Sequence, residues 1–172
     1  MADGGGMICS FTPGPDTERA LRDALGRFAT GVTVVTTATA EGPVGITANS
    51  FAAVSLVPPL VLWSPARASR RFAAFVEAPE FAIHVMADDQ FDVCGGFTRR
   101  GGAFDRLDWH ASPDTGVPLI DGCLARFECS RHAVHDGGDH AIVVGRVHAV
   151  CYREGEPLLF AGGRYGRFDP HD

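Results

Sequence analysis

Apolar residues recur at Leu21, Ala24, Leu25 and Phe28, in steps of three and four that fit one face of a helix. This spacing predicts an amphipathic helix over roughly 16 to 29, capped by Asp16 and ended by Gly31. The period then shortens. Runs rich in β-branched residues at 32–37, 44–48, 51–55 and 60–63, parted by breakers such as Glu41-Gly42-Pro43 and Pro58-Pro59, predict closely spaced strands. Ser64-Pro65 reads as the start of a second helix, with Ser64 as N-cap, Pro65 in the first turn and Phe72, Phe75 and Val76 as its buried stripe. A strand follows at 81–86 and a short helix at 88–97, with Asp88 or Asp89 near its cap and Gly95-Gly96 near its end; an irregular stretch reaches about 119. Two long alternating runs, 124–135 and 141–152, flank Asp136-Gly137-Gly138-Asp139 and predict a hairpin, and 158–160 adds a last short strand. Many antiparallel strands with few helices and no β-α-β rhythm favour a closed barrel. No G-x-G-x-x-G occurs, which disfavours a dinucleotide-binding doubly wound sheet.

With 172 residues and 45% hydrophobic content, the chain suits one compact domain or one protomer of a tight dimer. Residues 1–15, with Gly4-Gly5-Gly6 and Pro13-Gly14-Pro15, read as a flexible lead-in, and 16–172 as a single domain. A formal net charge of -6 argues against nucleic-acid or anionic-membrane partners, which select for a basic face. No run approaches the roughly 20 apolar residues of a membrane helix, and residues 1–10 lack the charged and apolar regions of a secretory signal; a cytoplasmic location is expected. The five cysteines contain no C-x-x-C pair and fit reduced thiols. All fifteen basic residues are arginine, so Schiff-base chemistry and a lysine-bearing phosphate loop are excluded, whereas phosphate binding by guanidinium forks is not.

Between residues 45 and 62, small hydroxyl and amide residues lie inside apolar sequence. Thr47, Asn49 and Ser50 offer donors and acceptors beside backbone that Gly45 and Ala48 leave approachable, so the edge of a flat polar ring could dock there; the same residues also suit a plain turn. The predicted helix start at Ser64 gathers Arg67, Ser69, Arg70 and Arg71, either a phosphate seat or a solvated basic face. A ring edge beside a phosphate seat suggests a nucleotide-like cofactor. His132, His135 and His140 lie within nine residues, but the odd spacing of the first two puts them on opposite faces of a strand, and no metal site is expected.

Several segments together resemble the flavin reductase-like family: 27–36, 45–50, Ser55-Leu56 with Pro58-Pro59-Leu60, 81–85, Gly116-Val117-Pro118-Leu119 and Gly138-Asp139-His140. The resemblance covers nearly all of residues 16–165. It implies a mainly β fold, an FMN-binding split β-barrel with a few flanking helices. It further implies an NADH- or NADPH-dependent flavin reductase that passes hydride to FMN or FAD, works as a homodimer and supplies a partner monooxygenase. By resemblance, Gly45, Ile46, Thr47, Ala48, Asn49 and Ser50 lie along the isoalloxazine, and Ser64, Arg67, Ser69 and Arg70 serve the flavin phosphate. Phe97, Arg99 and Arg100, with Phe104, match a second flavin-contacting loop, and His140 and Tyr165 are placed at the nicotinamide. Ala53, Val57, Trp63, Ala68 and Arg71 depart from the family pattern, and Trp63 is expected to fill part of the pocket. Two other readings share the pocket: a non-catalytic flavin-binding or electron-transfer protein, and a split-barrel oxidase of the pyridoxine phosphate oxidase type. Few basic residues are left for a second phosphate, which disfavours the oxidase.

Overall fold

The computed structural model describes residues 8–99 and 103–170. The Gly4-Gly5-Gly6 lead-in and Arg100 therefore lie outside the described residues, as does the side chain of Arg99. After a short 3-10 turn, helix α1 (Glu18–Leu25) leads into β1 (Thr30–Gly31), β2 (Thr33–Thr39), β3 (Gly42–Ala48), β4 (Ala52–Leu56) and β5 (Pro59–Trp63). Then come α2 (Phe72–Glu77), β6 (Glu80–Val85), α3 (Phe91–Arg99), β7 (Trp109–Ala111) and β8 (Pro118–Ile120). The long pair β9 (Ala125–Gly137) and β10 (His140–Tyr152) and the short pair β11 (Leu158–Ala161) and β12 (Arg164–Arg167) complete the chain.

Seven strands form one sheet in the order β3-β2-β6-β9-β10-β5-β4, every neighbouring pair antiparallel. Its two edge strands, β3 and β4, are consecutive in the chain and joined by residues 49–51. In a flat sheet, six steps of about 4.8 Å would part these edges by roughly 29 Å, whereas a link from Ala48 to Ala52 spans at most about 14 Å. The sheet must therefore curl until its edges nearly meet. This is the split barrel, and the link at Asn49 lies at the split.

Alternation along β2 explains the two cores. Val35 points into the barrel with Trp63, Phe75, Phe81, Ile83 and Val143, while Val34 points outward to a cluster of Met86, Cys94, Phe97, Phe104 and Ile120 under α3. Covered on both faces, β2 buries even Thr33, Thr36 and Thr37, which donate Oγ1 bonds to the carbonyls of Ala48, Pro118 and Glu80. His84 is likewise fully buried, with Nδ1 3.0 Å from the Val34 carbonyl while Nε2 accepts the Ile120 N–H at 3.0 Å. Burial lowers its pKa to about 3.

The strands match the sequence reading within a few residues, but three helices differ. The first ends at Leu25, with Gly26 N–H closing on Arg22 O, because its end docks on the β11–β12 turn through Gly162 N–H to Gly26 O at 2.7 Å. The second begins only at Phe72, so Ser64 is not an N-cap. Tertiary bonds claim the 64–67 segment before a helix can form there: Ala66 bridges His140, and Arg67 N–H donates to Asp139 O at 2.8 Å. The third runs through Gly95-Gly96 to Arg99. The 103–120 stretch carries the β7–β8 ribbon, and β12 has no counterpart among the expected strands.

Candidate functional site

At the outer end of β3 lies a cavity of about 150 Å³ lined by Thr47, Ala48, Asn49, Thr98, Phe160 and Tyr165, with Val32 at its base. A second cavity of about 800 Å³ adjoins it, sharing Asn49 and Phe160 and also reaching Ser50. Its size is within the range of roughly 300–1,000 Å³ usual for small-molecule sites. The resemblance-based segment thus does reach an open, mixed polar and aromatic surface.

Because β3 is an edge strand, alternate backbone groups face away from β2 without sheet partners. The Gly45 carbonyl is one such group, and it accepts the Arg71 guanidinium at 2.8 Å. Two residues on, Thr47 presents its N–H on the same side. The Thr47 N–H is therefore left without a strand partner beside the cavity that Thr47 lines, a donor of the kind a carbonyl-bearing ring can use.

The side chains of the segment divide their work. Thr47 Oγ1 donates to Cys94 O at 2.7 Å and ties β3 to α3, and Ser50 Oγ accepts the Ser64 N–H at 2.9 Å and ties the link to the end of β5. Asn49 is exposed and faces both cavities. Ile46 packs against the barrel core. Gly45 must lack a side chain, since a Cβ there would sit 2.5 Å from Phe97 Cε1.

Arg71, read from sequence only as a departure, holds this wall together. Nη1 donates to Gly45 O and to Phe97 O at 2.6 Å, and Nη2 reaches Thr98 O at 3.4 Å. A cation on the last carbonyls of α3 is also favourable to the helix dipole. Partial burial lowers the Arg71 pKa. Gly45 and Phe97 each lie 26 residues from Arg71, so no local pattern signals the clamp.

The remaining expected residues are spread over three places. The Phe97 ring is fully buried in the core, edge-on to Phe104 at 5.0 Å, so it supports the wall from behind instead of lining a cavity. Arg67 is taken up by Asp136, at 2.6 Å, and by Gly138 O, and stacks over Phe72. Both bonds tie it to the tip of the β9–β10 hairpin. Ser69 Oγ accepts the Arg71 N–H, and Arg70 is exposed. Trp63 is fully buried against Phe75 and fills the barrel core, not the cavity.

Tyr165 lines the smaller cavity, its ring edge-on to Phe91 at 4.9 Å and to Phe160 at 5.2 Å, and burial raises its pKa. His140 does not line that cavity. It opens β10 at the tip of the long hairpin, where Nδ1 lies 2.7 Å from Asp139 Oδ1, and this contact keeps the Asp139 carboxyl below its ordinary range. Thr98 and Phe160 join the site without having been expected; both reach it through long-range packing.

Comparison with known proteins agrees with this geometry. Residues 25–169 match the model of the flavin reductase like domain. The chain is 60% identical over 158 residues to the FMN reductase (NADH) SmoA of Agrobacterium fabrum, covering 92% of this chain and 90% of that protein. It is 44% identical to the reductase subunit HsaB of a flavin-dependent monooxygenase from Rhodococcus jostii, over 88% of this chain and 78% of the relative. Among solved structures, the NADH:FAD oxidoreductase of Streptomyces globisporus, in complex with NAD and FAD fragments, superposes with a TM-score of 0.86 at 38% identity, covering 94% of this chain and 98% of the other. The curled seven-stranded sheet, the open seam at its split and a family match over most of the chain together show that this protein belongs to the flavin reductase-like family.

Proposed function

We propose that this protein is an NAD(P)H-dependent flavin reductase that binds FMN or FAD along residues 45–50 and delivers reduced flavin to a partner monooxygenase. The observation that carries the reading is the pair of adjoining cavities at the split, walled by the free edge of β3 and by Tyr165. The relatives named FMN reductase and monooxygenase reductase subunit support it.

Flavin supplies the redox chemistry when bound: its ring takes up hydride from nicotinamide. The chain's own residues then have a positioning task, since hydride transfer needs close face-to-face approach and little side-chain chemistry. Backbone N–H groups of the 47–50 segment and the Asn49 amide orient the polar edge of the ring and stabilise negative charge developing there. Thr47, Ser50 and Arg71 keep that edge in place through their bonds to Cys94, Ser64 and the Gly45 carbonyl. Exposed Arg70, with Ser69 beside it, is the basic residue of the 64–71 segment available to a phosphate; Arg99 and Arg100 are offered as further contacts. His140 and Tyr165 position the nicotinamide from two sides.

A homodimer completes the reading. Val54, Leu56 and Val57 on the β4–β5 hairpin and Val150 and Tyr152 at the far end of β10 are exposed apolar side chains, with Leu56 and Val57 at 90% and 92%. Such surface usually marks a protein interface.

The test is a titration of the purified protein with FMN and FAD in turn, followed by NADH without oxygen. Formation of a yellow complex and its bleaching by NADH are expected. A complex that stays yellow would make the protein a flavin carrier, and no complex with either flavin would end the proposal. With His140→Ala, the NADH concentration needed for half-maximal bleaching should rise more than the flavin dissociation constant.

A further inference from the structure

The β9–β10 hairpin outruns its neighbours in the sheet. On one side β6 pairs with β9 only as far as Ser130, and on the other β5 pairs with β10 only as far as Val143, opposite Trp63. The projecting end turns through Gly138, whose φ of +74° suits the first residue of a two-residue loop, and it carries His140. A two-stranded ribbon has little stability of its own in water, so the direction in which this one points depends on what holds it from the side.

Among the described residues, every hydrogen bond from 132–141 to another part of the chain goes to Pro65 or Arg67. Ala141 N–H donates to Pro65 O at 3.1 Å and Arg67 N–H to Asp139 O at 2.8 Å, on either side of the Ala66–His140 bridge. The Arg67 side chain adds Nε to Gly138 O at 3.0 Å and Nη2 to Asp136 Oδ1 at 2.6 Å, and lies over the Phe72 ring at the start of α2. A planar guanidinium with two acceptors fixes orientation as well as distance. Within the tip, His140 donates from Nδ1 to Asp139 Oδ1 at 2.7 Å, so Nε2 is the ring nitrogen left for a ligand. The bond to His140 and its charge dominate the lowering of the Asp139 carboxyl. Arg22 of α1, in the lining of the larger cavity, adds to it, which places the tip within charge reach of that cavity's wall.

We propose that Arg67 is a positioning residue whose hold on Asp136, Gly138 and Asp139 sets where the His140 imidazole stands, so that it acts on the nicotinamide donor through that ring. The inference rests on the reductase reading, in which His140 positions the nicotinamide, and adds to it the residue that aims the histidine. An arginine on a flavin phosphate would act on flavin affinity instead, so the two roles leave different signatures. The Arg67 and Asp136 side chains are 45% and 81% exposed, and solvent screens their attraction, which keeps the effect of cutting it modest.

The test uses Arg67→Met, which keeps much of the stem over Phe72 and removes both side-chain donors, with Asp136→Ala as a second cut from the other side of the contact. Hydrogen exchange at the Ala141 amide should quicken in both variants, and unchanged exchange would overturn the hold on the tip. With FMN as acceptor, Arg67→Met should raise KM for NADH about fivefold and leave the FMN dissociation constant within about twofold, with partial recovery in Arg67→Lys. In a His140→Ala background the same change should add nothing to KM, because the ring it aims is gone. Effects that multiply in the double variant overturn the proposal, as does a rise in the FMN dissociation constant with KM unchanged, which puts Arg67 on the flavin. If His140→Ala by itself leaves KM unchanged, the proposal falls with the histidine's role, while bleaching of the bound flavin by NADH still upholds the reductase reading. A protein that forms no flavin complex overturns both.

Discussion

Lowering the pH from 7 to 5 should destabilise the fold through His84. The ring is neutral in the native state because it is fully buried between Val34 O and the Ile120 N–H, with its pKa lowered to about 3 by burial. In the unfolded chain it titrates near 6.5. Below that value the unfolded state binds a proton that the native state refuses, so stability is full above about pH 6.5 and is lost progressively as the pH falls toward 3. Between pH 7 and 5 the difference in proton binding integrates to about 1.4 pK units, or ~2 kcal/mol. Urea unfolding at both pH values, in wild type and His84→Asn, reads this loss. Asparagine can still donate to Val34 O but leaves the Ile120 N–H without its acceptor, so the variant should be weaker at pH 7 by about 1–3 kcal/mol. Its decline from pH 7 to 5 should nevertheless be shallower than wild type's by ~2 kcal/mol, the share belonging to this ring. Equal declines in the two proteins would refute the reasoning, whatever their absolute stabilities.

Arg71→Met removes the donors on Gly45, Phe97 and Thr98 while keeping much of the side chain's bulk, and is expected to loosen the cavity wall. Flavin affinity should fall about tenfold, on the scale of one lost charge-assisted bond, with partial recovery in Arg71→Lys; an unchanged flavin titration would show that the clamp does not shape the site. Sedimentation velocity should report a dimer that Val57→Asp and Tyr152→Asp shift toward monomer, and a wild-type protein that is monomeric at every concentration would exclude the proposed interface.

The strands were legible because β-branched runs, alternation and breakers are local signals: β2, β3 and β5 lie where β-branched runs and breakers put them, β9 and β10 where alternation did, and the Asp136–Asp139 turn signal marks the hairpin tip. The 45–50 segment stood out for a related reason. Small and polar residues between two apolar strands suit either a turn or a ligand's polar edge, and 47–50 both bonds to its neighbours through Thr47 and Ser50 and borders the cavities. The expectations that failed were local signals outweighed by distant partners. Ser64-Pro65 carries a good capping pattern, yet Ser50, Asp139 and His140 claim the backbone around it and the helix waits until Phe72. Nor does any local pattern show that Arg67 meets Asp136, which the fold brings to it from 69 residues away.

Sequence alone therefore determined the class of fold, the position of the seam and the absence of lysine chemistry, since periodicity, breaker residues and composition act within a few residues or over the whole chain. Which arginine clamps and which binds an acidic neighbour was decided only by tertiary structure. A guanidinium's role is set by the acceptors within about 3 Å of it, and here those acceptors come from segments tens of residues away.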